Sequence, residues 1–186
     1  VTPASWVQPN PRPLGARALL VGESNPYSRD PACALLPWPP ASAGARLLGL
    51  LGWSEAEYLA SFWRSNLVNG EGWSAPRVRG AAAVLMVEAS EYGVDVVLLG
   101  GRVAGAFSQA AANMMRNLGV EAAGRPLETW ERSGSILRVP HPSGLCREWN
   151  HPGARDRLRR LLEPYRRAPS VVIHKGTAVG KTEEAW

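Results

Sequence analysis

Two short segments gather the side chains best able to move protons or orient water. Gly22-Glu23-Ser24-Asn25-Pro26-Tyr27 sets a carboxylate two residues from a carboxamide, and Pro140-His141-Pro142-Ser143-Gly144 sets an imidazole two residues from a hydroxyl. Glutamate can accept a proton, whereas asparagine can only donate and accept hydrogen bonds and so orient a water. Histidine changes charge near neutral pH and presents two distinct ring nitrogens. Each residue also has a plainer reading: Glu23 could merely cap the following turn, and His141 could satisfy a loop backbone. Asp30 is a third acid nearby. His151 reads as a helix-start residue and His174 falls in the last segment of the chain. Metal binding is not expected, because two cysteines and three histidines are scattered without ligand spacing.

The elements that must hold these segments are legible in the pattern. Ala16 to Val21 is a short apolar run that ends at Gly22, which predicts a buried strand feeding a loop. Residues 28–40 carry Pro31, Pro37, Pro39 and Pro40 and read as a long ordered loop or lid. Ser42 to Leu51 predicts a helix stopped by Gly52, and Ser54-Glu55-Ala56-Glu57 is a capping box for a second short helix. Trp63 to Val68 and Val94 to Leu99 are further strand candidates. Helices are expected from Pro76 to Glu91, from Arg102 to about Leu118 with Gly119 as C-cap, and from about Pro152 to Tyr165. Ile136 to Val139 is a fourth strand that delivers His141 to a loop. Strands alternating with helices predict an α/β fold, a parallel sheet covered on both faces. Ligands then bind at the carboxyl ends of the strands, where Gly22, Asn69, Gly100 and His141 all stand.

Against this frame the motifs resemble the uracil-DNA glycosylase superfamily. Leu20 to Tyr27 is similar to the family's first motif, written there as Gly-Gln-Asp-Pro-Tyr, Gly-Glu-Ala-Pro-Gly or Gly-X-Asn-Pro-Gly. Pro140 to Leu145 is similar to the second, His-Pro-Ser followed by a wedge residue. Ser65-Asn66-Leu67-Val68 resembles the Thr-Asn-Val strand, and Val97 to Ala104 the Leu-Gly-X-X-Ala turn. The resemblance covers residues 17–165. It implies a three-layer α/β/α sandwich around a short parallel sheet, with residues 1–165 as one glycosylase-like domain; the proline-rich residues 1–16 read as an N-terminal arm and the mixed residues 166–186 as an extension or tail.

The resemblance also implies an activity, cleavage of the bond between base and deoxyribose to leave an abasic site. The base is flipped out of the stack and leaves as an anion. His141 is then the group that stabilises that anion. Glu23 or Asn25 positions water: anchored on Gly22 the motif aligns Glu23 with the family's acid, and anchored on Pro26 it aligns Asn25 with the family's aspartate, because this chain has one residue more between Gly22 and Pro26. Tyr27, Asn66 and Asn69 are the candidates for contact with the base, Asn66 and Asn69 by donating and accepting at a pyrimidine edge. Gly101, Arg102, Ser143, Gly144, Leu145 and Arg147 are the candidates for contact with DNA, Leu145 as the wedge. Trp149 could stack on a base or anchor the last helix. The inserted residue, the proline-rich segment and the missing aspartate point from uracil toward a larger, modified pyrimidine. Related bacterial glycosylases include anti-phage enzymes that remove modified cytosines such as glucosylated hydroxymethylcytosine. A hydrolase or transferase acting on nucleosides or nucleotides, and a non-catalytic DNA-binding module, are the alternatives.

Composition fits without deciding. The chain has 186 residues, net charge +5 and pI about 9.8; of 21 basic residues only Lys175 and Lys181 are lysines. Arginine suits phosphate through its planar fork, although GC-rich coding enriches it too. The lysines lie far from the motifs, so a Schiff-base lyase is not expected and the glycosylase would be monofunctional, without cofactor. Arg155, Arg157, Arg159 and Arg160 read as a solvated helix face. Cys33 and Cys146 are too few for a disulfide framework or an iron–sulfur cluster and fit a reducing compartment. No apolar run approaches the ~20 residues that span a membrane, and no signal-peptide pattern stands at the N-terminus. DNA as partner, a cytoplasmic location and a monomer are the expectations.

Overall fold

The computed structural model describes residues 10–26, 28–70, 72–118, 127–143 and 146–168. Tyr27, Gly144 and Leu145, as well as the C-cap expected at Gly119, lie outside the described residues.

The fold is mixed α/β around a five-stranded, mostly parallel sheet. Its strands are β1 (Ala18–Asn25), β2 (Phe62–Asn69), β3 (Asp95–Leu99), β4 (Arg132–Ser133) and β5 (Ile136–Val139), in the order β2-β1-β3-β5-β4. The first, second, third and fifth run parallel, and β4 pairs antiparallel with β5 at the edge. The helices are α1 (Ala43–Leu51), α2 (Glu55–Ser61), α3 (Ala75–Glu91), α4 (Gly101–Asn117) and α5 (Ala154–Leu162).

Period-two alternation divides β1 between two cores. Leu19 and Val21 pack with Val78, Leu85, Val103 and Phe107 of α3 and α4, while Ala18 and Leu20 pack with Leu47, Tyr58, Leu158 and Leu162 of α1, α2 and α5. The helix limits follow local chemistry. The Ser42 hydroxyl accepts from the Ala45 N–H, and Gly52 closes α1 in the left-handed region at φ 70°. Ser54 and Glu57 form the reciprocal capping box at α2. Among the described residues no helix is long and apolar enough to cross a membrane.

Two expectations change. First, β1 does not end at Val21. It runs on to Asn25, since β2 keeps pairing with it: Gly22 opposes Asn66, Ser24 opposes Val68 and Asn25 opposes Asn69. The first motif is therefore the end of a strand rather than a loop. Second, β4 was not anticipated; its two polar residues are a strand only because β5 pairs with them. Past α5 the chain is tied back to α2. Arg166 bonds Glu57 at 2.8 Å, and the Arg167 N–H donates to the Ser61 hydroxyl at 2.8 Å. At the other end of the chain, Asn10 extends the free edge of β2, donating to the Arg64 carbonyl at 3.2 Å and accepting from the Arg64 N–H through its side chain at 2.9 Å.

Candidate active site

The chain passes from β1 to β2 on one side and then crosses to β3 on the other, so the connections diverge between β1 and β3. A crevice opens at such a point, at the carboxyl ends of the strands. There the structure has a cavity of about 480 Å³ lined by Glu23, Ser24, Asn25, Asn66, His141 and Ser143, with Cys33, Leu35, Trp38, Ser42 and Arg46 on the facing wall.

His141 enters this cavity just past β5. The Ser143 backbone N–H donates to His141 Nδ1 at 3.2 Å. That nitrogen must then be the unprotonated one, which leaves the proton of the neutral ring on Nε2 as a donor. The His141 carbonyl accepts from Trp149 Nε1 at 2.8 Å, and Trp149 stands edge-on to Trp130 with ring centres 5.6 Å apart. Trp149 also packs against the core cluster that holds Leu158 and Leu162 of α5. Gly100 makes room for the histidine: a Cβ there would lie 3.0 Å from His141 Cβ, and its φ of 91° suits glycine alone. Burial holds the imidazole below the usual histidine value, with Glu23 opposing that effect and Arg46 adding to it.

Asn66 sits on β2 at 1% exposure, and neither its amide nitrogen nor its amide oxygen has a hydrogen-bond partner. Buried polar groups are otherwise almost always paired. Gly22 allows the amide to lie across β1, because a Cβ on it would come within 2.5 Å of Asn66 Oδ1 and 2.9 Å of Leu35 Cδ2. Asn69, also buried and with an unpaired Oδ1, lies outside the cavity lining.

Glu23 lines the cavity and is ion-paired with Arg102, whose guanidinium lies over the Trp73 ring at 4.1 Å. Asn25 uses its amide nitrogen on the facing wall, donating to the Cys33 carbonyl at 3.0 Å. Gly101 and Arg102 are exposed at the first turn of α4, Ser143 lines the cavity, and Arg147 is exposed on the 3-10 turn Arg147–Asn150. The structure thus gathers Glu23, Asn25, Asn66, His141 and Ser143 at one cavity, sets Arg102 behind Glu23, and leaves Asn69 and Arg147 outside. Among the described residues no three metal-ligating side chains cluster.

The sequence reading missed the wall. Four consecutive carbonyls are each taken by a side chain: Cys33 by Asn25 at 3.0 Å, Ala34 by Arg64 at 3.3 Å, Leu35 by Tyr58 at 2.9 Å and Leu36 by Ser42 at 3.0 Å. The segment expected as a loop or lid is thereby pinned. Its prolines signalled an ordered path, but not what held it. Arg64 is 6% exposed, with Nε unpaired, and burial lowers its proton affinity. Removing one clamp should be measurable. Tyr58→Phe leaves the Leu35 carbonyl without its buried donor and is expected to lower stability by about 1–2 kcal/mol, read as a shift in urea midpoint at unchanged slope.

No protein-family model matches the chain, and a search of curated proteins returned no match.

Proposed function

We propose that the chain is a monofunctional DNA glycosylase of the uracil-DNA glycosylase kind, which hydrolyses the N-glycosidic bond of a flipped, modified pyrimidine. The observation that carries this reading is Asn66: a buried donor and acceptor, both unpaired, facing the same cavity as His141 and Glu23. Such an amide matches the adjacent acceptor and donor of a pyrimidine edge. The α/β frame with helices on both sheet faces is compatible with the α/β/α sandwich of that superfamily.

The residues then divide the reaction as follows. The bond from C1′ to the base nitrogen breaks, and its electron pair leaves with the base. His141 Nε2–H donates to a base oxygen and stabilises the anion. Glu23 orients a water toward C1′ and accepts its proton as the C–O bond forms. Asn25 holds the wall and steadies the water beside Glu23. Gly101, Ser143, Gly144 and Arg147 contact the DNA backbone, and Leu145 is the wedge that fills the vacated stack. A cavity of about 480 Å³ falls in the range of sites that enclose drug-sized ligands. That leaves room beyond a bare pyrimidine, which supports a base with a bulky 5-substituent. Glucosylated hydroxymethylcytosine of phage DNA is the leading candidate, and uracil is the simpler one.

Duplexes carrying uracil, a G·T mismatch, 5-hydroxymethylcytosine or its glucosylated form, incubated with the protein and then treated to cleave abasic sites, test this. Strand breaks are expected at the glucosylated base. Breaks at uracil alone would sink the modified-base reading. Absence of breaks in all four, with release of base from mononucleosides, would favour a nucleoside hydrolase.

A further inference from the structure

Arg102 stands where two needs of the site meet. Its guanidinium bonds Glu23 Oε1 and lies over Trp73 at 4.1 Å, while Trp73 itself packs against the core under α3 and α4. The Arg102 side chain is 59% exposed against 27% for Glu23, so the pair points one charge into the cavity wall and the other outward. A guanidinium carries five N–H donors in a planar fork, and one bond to Glu23 leaves most of them for an incoming acceptor. The neighbouring first turn of α4 has no side-chain cap, and Gly101 there is exposed. Exposed ion pairs contribute little to folding stability. An arrangement of this kind matters for orientation: a carboxylate free to rotate would spend little time aimed at a water, and a displacement of about 1 Å in a reacting group lowers rates by about 100-fold.

We infer that Arg102 is a positioning residue, which holds Glu23 in place from its platform on Trp73 and at the same time takes a backbone phosphate of the strand bearing the flipped base. This rests on the glycosylase reading and adds to it a link between strand binding and the water-side carboxylate. Coupling phosphate to carboxylate makes a polynucleotide the preferred substrate over a free nucleoside, since only a strand supplies the phosphate that completes the fork.

Single-turnover excision measured on the best duplex substrate for wild type, Arg102→Ala, Glu23→Gln and the double variant tests the first half. Arg102→Ala is expected to lower the rate constant at saturating enzyme by about 10- to 100-fold. In the Glu23→Gln background the same change should have an effect of no more than about 2-fold, because coupled residues are non-additive. Arg102→Lys, which keeps the charge and loses the fork, should recover only part of the rate. The second half is read by replacing each phosphate flanking the target with a neutral methylphosphonate. One replacement should slow the wild type and leave Arg102→Ala unchanged. Equal losses in both Glu23 backgrounds, or equal sensitivity to the neutral linkage with and without Arg102, overturn the assignment. Thermal melting of Arg102→Ala close to wild type excludes a folding defect as the cause, and Arg102→Gln repeats the test if it melts early. A wild type that cleaves none of the duplexes overturns the glycosylase reading together with this one. Additivity in an active wild type overturns the role of Arg102 alone.

Discussion

Replacing His141 by alanine is expected to lower the single-turnover excision rate by about 100- to 1,000-fold, the range seen when one preorganised donor is taken from a developing anion. DNA binding should change little, because the imidazole faces the cavity and its loop is held independently by the Trp149 bond to the His141 carbonyl. Gel-shift or anisotropy titration beside the kinetics separates the two. Weakened binding with an unchanged rate constant would assign the residue to the DNA surface instead.

The same residue is expected to set the pH dependence. On the proposed reading His141 donates through Nε2, while Nδ1 accepts from the Ser143 N–H. Protonation gives the ring its second N–H, on Nδ1, which opposes the Ser143 N–H and disturbs the loop that aims the ring. Burial, the largest influence, lowers the imidazole below its ordinary value of 6.5. The excision rate should therefore hold as pH falls through 6.5 and decline only below it, on a limb absent from His141→Gln. Stability follows the same sign. Between the lowered folded value and the unfolded one, the unfolded chain binds more protons, so stability rises with pH across that window. The contribution is complete above 6.5 and is lost as pH falls through the folded value.

Asn66→Ala should separate function from stability in opposite directions. A buried amide that held the fold together would make the variant less stable by about 1–3 kcal/mol. Here both polar atoms are unpaired in the free protein, and the side chain borders an open cavity, so its removal relieves desolvation with a small packing loss. The variant is expected to be more stable by about 1 kcal/mol, a rise of roughly 2–4 °C in melting temperature. Its excision rate should fall by about 100-fold or more, because a site built to bond a polar edge discriminates strongly through those bonds. A destabilised Asn66→Ala with undiminished excision would remove the observation on which the functional reading stands.

Helix limits were legible because their signals are local. Ser42, Gly52 and the Ser54–Glu57 pair act within one turn of the backbone they cap, and each works as its spacing predicts. Strand ends were less legible, because a strand lasts as long as its neighbour pairs with it. Gly22 to Asn25 continue β1 on account of β2, and Arg132-Ser133 become β4 on account of β5. The burial of Arg64 had no local sign at all. A charged residue in an apolar strand carries no indication that a carbonyl from thirty positions away will meet it.

By itself the sequence determined the alternation of strands and helices, and with it the arrival of the segments that begin at Gly22, Asn69, Gly100 and His141 at one edge of a parallel sheet. Period and capping act over a few residues and need no knowledge of the whole. Only the tertiary structure decided how Glu23, Asn25, Asn66 and His141 stand relative to one another. It turned Asn25 toward the wall, set Asn66 in the cavity without a partner, kept Asn69 out of it, and placed Arg102 on Glu23 across 79 positions of sequence. Those outcomes depend on strand order and side-chain direction, which long-range packing sets and no short stretch of chain encodes.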